Sequence, residues 1–307
     1  MEYYIVSRGI RNKMKQKIST IAFLLLISVL LLNPVSADLT QAQSIPSNGV
    51  VRYSYEVVRI ALDGWGVIPT QELVDKLECE WAFQPAMYYG TGDPDTAEEE
   101  WEWCPGKQYI DLGITNLIGE YSGLEHDHDH WMLCLRNQLA LSLNHPEIVG
   151  IYLNDYYFSL RDGYRTRAQW EEVVDTIRSV NPNLPLVVGW VPWMEDDENI
   201  DTWLSWIEYD QVLCQMRLGQ SLPLEGMDAF MTRCEIKFAG KPIWGTANIH
   251  DQNQVLLTEQ EFKEILNINK NHWDSGKIIG VRIQHVQHLL DHPEYADWTR
   301  EILIENP

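Results

Sequence analysis

Five short apolar runs in the second half of the chain, separated by helical patterns, constrain the fold more than anything else in the sequence. They are IVGIYLND (148–155), PLVVGWVPW (185–193), DQVLCQM (210–216), KPIWGTANI (241–249) and KIIGVRIQHV (277–286). A strand with one solvated face alternates apolar and polar residues. These runs are continuous, so both of their faces have to be covered, as in a parallel sheet lying under helices. The intervening segments supply those helices. Thr166 and Gln169 form a capping box ahead of Trp170, Val173, Val174 and Ile177, and Asn181-Pro182 stops that helix. Thr258 and Glu261 form a second box ahead of Phe262, Ile265 and Leu266. Weaker helices are expected over 224–238 and 295–304. Strand and helix in this alternation imply repeated right-handed crossovers.

The first half is less regular. Strands are expected at AFQPAMYYG (82–90) and QYIDLGITNLIG (108–119), and helices at Thr70–Leu77 and Trp131–Leu143. The run VRYSYEVVRIAL (51–62) suits a strand or a helix equally, and the acidic stretch 91–107 reads as a surface loop. Seven or eight strands result. The fold expected is α/β, a (β/α)8 TIM-type barrel over residues 51–307, irregular in its N-terminal half, with an incomplete barrel or open sheet as the alternative.

Ahead of it lie a leader and a short linker, 38–50. Residues 1–17 hold five basic residues, an apolar run spans Ile18–Leu32, and small residues Val35 and Ala37 follow. That is the layout of a secretory signal cleaved after Ala37, with an uncleaved anchor as the alternative. A secreted or extracytoplasmic location is expected. Residues 1–37 hold five of the 23 basic residues and one of the 45 acidic ones, so the remainder carries net −26. A charge of that sign argues against nucleic acid and anionic membrane surfaces as partners. Of the five cysteines, Cys79 and Cys104 are the best disulfide candidates in an oxidising compartment, whereas Cys134 and Cys214 sit in apolar patterns as buried thiols.

In a parallel barrel, functional groups stand just past the C-terminal ends of the strands. Those positions hold Tyr88; Glu120; Asn154, Asp155 and Tyr156; Trp190, Trp193 and Glu195; Gln215 and Arg217; Asn248, His250 and Asp251; and Gln284 and His285. Flat rings stack on the apolar face of a sugar while amides and carboxylates bond its hydroxyls, so the set suits a carbohydrate or another small extracellular ligand. Any single ring near a strand end is more often packing than a sugar platform. Asp155, where a buried run meets solvent, is the candidate proton-transfer group. Its other role would be to cap the next helix.

On these residues the chain resembles the glycoside-hydrolase superfamily of (β/α)8 barrels. In the largest clan the fourth strand ends in Asn-Glu with Glu as acid/base, and here Asn154-Asp155 ends the run that is fourth when counting starts near residue 51. The resemblance implies hydrolysis of a poly- or oligosaccharide by carboxylate chemistry, without a cofactor. Two departures stand against it. The second Glu, at the end of strand seven, is replaced by a segment offering only Asp251, and the Trp after the last strand is replaced by RIQHVQ. Hydrolysis needs two carboxylates across the bond. Either Glu120, Glu195 or Asp251 partners Asp155, or the protein binds a glycan without cleaving it. A third reading rests on EHDHDH (125–130), rich in metal ligands but out of register for a metallo-hydrolase signature. It is read as a solvated loop with Asp129 capping the following helix, and no metal site is assigned.

Overall fold

The computed structural model describes residues 60–64, 67–84, 96–122, 128–219 and 221–305. Eight parallel strands close into a barrel in sequence order: β1 Ile60–Asp63, β2 Trp81–Gln84, β3 Asn116–Ser122, β4 Ile148–Asn154, β5 Leu186–Trp190, β6 Gln211–Cys214, β7 Ile243–Asn248 and β8 Gly280–Gln284. β8 pairs back onto β1, with Asp63 opposite Gln284, so no sheet edge is left open. The closed barrel replaces the incomplete-barrel alternative.

The helices between strands are α1 Gln71–Lys76, α2 Ala97–Trp101, α3 Pro105–Asp111, α4 His128–Asn144, α5 Tyr156–Arg161, α6 Arg167–Val180, α7 Ile200–Leu204, α8 Met227–Lys237, α9 Glu259–Asp274, α10 Val286–Asp291 and α11 Glu294–Leu303. Both capping boxes form: Thr166 and Thr258 each accept from the N–H three residues on, and Gln169 and Glu261 reach back to the cap N–H. Each cap stabilises its helix by about 1 kcal/mol. Trp170, Val173, Val174 and Ile177 then face inward at helical spacing, as do Phe262, Ile265 and Leu266.

Four expectations are corrected. Residues 105–111 form α3, and the strand begins only at Asn116. Pro105 at the first helical position, a residue whose missing N–H costs nothing there, starts that helix. The acidic stretch is not a plain surface loop, since α2 buries Ala97 and Trp101 within it. Cys79 and Cys104 form no disulfide. Each thiol is buried and directed to a backbone carbonyl, of Ile60 and Glu100 respectively, and Cys134, Cys214 and Cys234 are buried free thiols as well. Asp129 lies within the first turn of α4 instead of capping it, where its charge still suits the helix N-terminus.

The barrel interior is layered. Trp81, Phe83, Ile118, Tyr152, Val187, Leu213 and Trp244 pack as one apolar cluster inside the sheet, separate from the larger cluster between sheet and helices. Trp244 meets Trp81 at 5.3 Å and Phe83 at 5.4 Å between ring centroids. Above this floor, toward the C-terminal strand ends, the inward positions turn polar: Asp63, Glu120, Asn154, Thr246 and Arg282 are all buried. Gly189 leaves room in that layer, because a Cβ there would sit 2.9 Å from the Tyr152 hydroxyl and 3.1 Å from Gln215 Nε2.

Candidate functional site

The polar layer is organised around Arg282. It is a charged residue in a run otherwise buried on both faces, and is itself 1% exposed. Its Nη2 lies 2.8 Å from Asp63 Oδ2 and 3.5 Å from Glu120 Oε2, and its guanidinium plane sits over Phe83 and Tyr152 at 5.1 and 5.2 Å. A guanidinium is the cation best suited to such a place, since it is weakly hydrated and stacks on rings while bonding carboxylates. Burial works against its charge, but Asp63 and Glu120 outweigh burial and hold its pKa above the ordinary arginine value.

Two buried carboxyls against one guanidinium cannot both ionise cheaply. Asp63 has the closer contact with Arg282; burial raises its pKa and Arg282 opposes that rise. Glu120 is pushed up to about 8, first by burial, with Asp63 and Asp155 adding to the rise and Arg282 and Asn154 opposing it. At neutral pH Glu120 therefore holds its proton, while Asp63 keeps the closer contact with the Arg282 guanidinium. His285 approaches Asp63 with Nδ1 3.7 Å from Oδ2, and burial followed by Arg282 pushes its pKa down to about 3, so it is neutral.

Asn154 joins this layer to the strand end above it. Its Nδ2 donates to Glu120 Oε1 at 2.5 Å, and its Oδ1 accepts the Asp155 N–H at 2.9 Å. Asp155 adopts left-handed backbone (φ 55°, ψ 17°) at the cap position of α5, yet its side chain makes no cap hydrogen bond. For a non-glycine residue that conformation costs on the order of 1 kcal/mol. The alternative role as a helix cap is thereby corrected.

A cavity of about 230 Å³ opens at this end of the barrel. Asn154 and Asp155 after β4, Trp193 beyond β5, Gln215 and Arg217 after β6, and Arg282 and Gln284 of β8 contribute to its wall. Six of the fifteen sequence candidates thus line it: Asn154, Asp155, Trp193, Gln215, Arg217 and Gln284. Glu120 lies beneath Asn154. Trp193 is 38% exposed and meets Phe158 edge-on. Gln215 donates from Nε2 to the Tyr152 hydroxyl.

The other candidates are placed elsewhere. Glu195 forms a surface fork with Arg233, three contacts of 2.7–3.0 Å, away from the cavity wall. The Asp251 carboxylate accepts the Val255 and Asn253 N–H groups and so organises its own loop, and Val255 is the chief cause of its lowered pKa. Tyr156 is core: its hydroxyl donates to the Trp203 carbonyl and its ring meets Trp170 edge-on. Trp190 is core too, 1% exposed against Phe238. Asn248 donates to the Met216 carbonyl. His250 is buried with its ring 3.8 Å from that of His288. Tyr88 lies outside the described residues. Strand ends favour rings for packing as well as for ligands, which is why Tyr156 and Trp190 were expected in the cavity.

Reading strand ends missed Asp63, Tyr152 and Arg282. The signal for Arg282 was present, because a charge inside a doubly buried run has to find a buried partner. Of EHDHDH, His128 bonds Glu172 at 2.8 Å and His130 contacts the Cys134 thiol, while residues 125–127 lie outside the described ones. Among the described residues no group of three ligating side chains could hold a metal, and no helix is long and apolar enough to cross a membrane.

No family model matches the chain, and no match is found among curated proteins. Solved structures match in fold. A xylanase–α-amylase inhibitor protein, determined with trehalose, aligns at TM-score 0.50 and 10% identity over 80% of this chain and 99% of its own. A Bacteroides uniformis β-glucuronidase aligns at 0.49 and 14% over 73% of this chain, which spans only 30% of that enzyme. A GH18 chitinase from Pseudoalteromonas aurantia aligns at 0.47 and 12% over 80% and 98%. At such identities the likeness is one of fold alone, a closed (β/α)8 barrel.

Proposed function

We propose that the protein is a carbohydrate-active hydrolase that takes a sugar unit into the cavity at the C-terminal end of its barrel and works with the carboxyl pair Asp155 and Glu120. One observation carries this reading. Asp155 lines the cavity on strained backbone with its side chain unused as a helix cap, while its charge helps to keep a second carboxyl, Glu120, protonated close by. Hydrolysis of a glycoside asks for such a division, one carboxyl holding a proton and one ionised. Asn154 bonds the Glu120 carboxyl through its Nδ2 and the Asp155 backbone N–H through its Oδ1. Glu195 and Asp251, engaged by Arg233 and by a loop backbone, drop out as partners.

The wall supports a sugar as the ligand. Trp193 offers a half-exposed ring, and Asn154, Gln215 and Gln284 offer amides that bond hydroxyls. A cavity of about 230 Å³ is below the usual range for drug-sized ligands and suits one ring rather than an extended chain. The leader of residues 1–37 supports export, with the barrel acting outside the cytoplasm. Mass spectrometry of the protein recovered from the medium checks this, with Asp38 as the expected first residue.

A second reading, glycan binding without turnover, is favoured by the burial of Glu120, which is 4% exposed and sits behind the wall. A panel of 4-nitrophenyl glycosides separates the two. Hydrolysis of at least one, reduced by roughly 10²-fold or more in Asp155→Asn with the fold intact, supports the hydrolase. Turnover unchanged in that variant overturns the role of Asp155. Binding without any turnover moves the conclusion to the second reading.

A further inference from the structure

The cavity wall holds a cation, Arg217, that forms no ion pair among the described residues. Arg217 uses its Nε to donate to the Asp251 backbone carbonyl at 3.1 Å, and its Nη1 and Nη2 have no hydrogen-bond or ion-pair partner among the described residues. Scarcity of acids does not explain this, because the chain carries 45 acidic residues against 23 basic ones. Arg161, Arg167, Arg178, Arg233, Arg282 and Arg300 each pair with a carboxylate. The nearby Asp251 carboxylate is taken up by the Asn253 and Val255 N–H groups.

Arg217 is also half-buried, and burial lowers its pKa. A cation withdrawn from water with no partner costs stability. Its Nε bond fixes the side chain so that the two Nη groups form the free end of the fork. That end matches the two oxygens of a carboxylate.

We infer that the ligand carries a carboxylate which Arg217 binds end-on through Nη1 and Nη2, so that the sugar of the proposed function is a uronic acid. This rests on the carbohydrate reading above and narrows it. Placement round the rim agrees. Arg217 follows β6 and Asp155 follows β4, with β5 between them, so a carboxylate on Arg217 is set apart from the Asp155 charge while the ring spans the cavity. Arg282 adds a second cation to the wall. The device also sets specificity. A neutral sugar would leave the guanidinium desolvated and unpaired, and a site built to bond a charged group rejects the analogue lacking it.

The test is isothermal titration calorimetry on the full chain at pH 7. The ligands are the methyl α- and β-glycosides of D-glucuronic and D-galacturonic acid, each beside its neutral glucose or galactose counterpart. At least one uronide is expected to bind tenfold or more tighter than its counterpart. Arg217→Gln should remove that difference and leave the neutral sugar unaffected, and Arg217→Lys, which keeps a point charge without the fork, should retain part of it. Near-UV circular dichroism shows whether each variant holds its fold. Where the Gln variant does not fold, the Lys variant decides, and an undiminished uronide preference in it overturns the end-on fork. Neutral sugars binding as well as uronides, or a uronide preference that survives in folded Arg217→Gln, overturns the inference and leaves the carbohydrate reading standing. Failure of both classes to bind the wild type overturns that reading, and the inference with it.

Discussion

Replacing Glu120 by Gln isolates the proton that the buried layer is built around. Glutamine has nearly the shape of a protonated glutamic acid, and its Oε1 can still accept the Asn154 Nδ2–H. The wild-type side chain has a folded-state pKa of about 8 against 4.5 for an ordinary glutamate. Between those values the native state holds a proton that the unfolded state has released, so wild-type stability falls as pH rises, by about 1.4 kcal/mol per pH unit. Below about 4.5 both states are protonated and the penalty vanishes; above about 8 it is fully present. The variant has nothing to titrate at this position. From pH 5 to pH 8 the stability of Glu120→Gln relative to wild type should therefore climb by roughly 3–4 kcal/mol. The amide places a donor where Oε2 stands 3.5 Å from Arg282 Nη2, which adds a constant offset that leaves the slope alone. Urea unfolding of both proteins at pH 5, 6.5 and 8 reads the slope, with equal m-values as the control. A difference that stays flat over this interval refutes the protonated Glu120. A difference that moves the other way shows that Arg282 outweighs burial.

Other substitutions separate the roles of neighbouring residues. Arg282→Leu removes the buried partner of Asp63 in the barrel interior and should cost about 3–5 kcal/mol, read from urea midpoints. Trp190→Ala should cost about 3–5 kcal/mol because its ring is core. Trp193→Ala should move stability by less than about 1 kcal/mol. It should nevertheless weaken sugar binding several-fold by calorimetry, because its ring stands at the cavity wall.

The sequence made the barrel legible from β4 onward, where each strand is an unbroken apolar run between capped helices. It was less legible before β4 for reasons that the structure makes plain. β1 and β2 are four residues each, too short for periodicity to register, and β3 follows helix α3 so closely that Tyr109, Ile110, Leu117 and Ile118 read as one apolar stretch. At the site, position past a strand end found Asp155, Asn154, Gln215 and Arg217, because barrel anatomy alone places them. It did not separate Trp193 from Trp190, three residues apart, since which ring meets the cavity depends on how the chain turns after β5. Nor did it show that Glu195 is neutralised, because Arg233 lies 38 residues away on α8.

Arg282 ties stability to chemistry in this barrel. Without Asp63, its charge would be stranded in the interior, and without Arg282 the Asp63 carboxyl would take up a proton. Arg282 stands further from Glu120, and burial outweighs it and keeps the Glu120 proton in place to about pH 8. Glu120 is thus the buried acid of the layer, and Asn154 joins it to the Asp155 backbone at the cavity wall. An apolar residue at position 282 would remove the charge that opposes the rise in both carboxyl pKa values. Both buried carboxyls would then hold their protons more tightly, and the contact that orders the layer would be lost even if the barrel still closed.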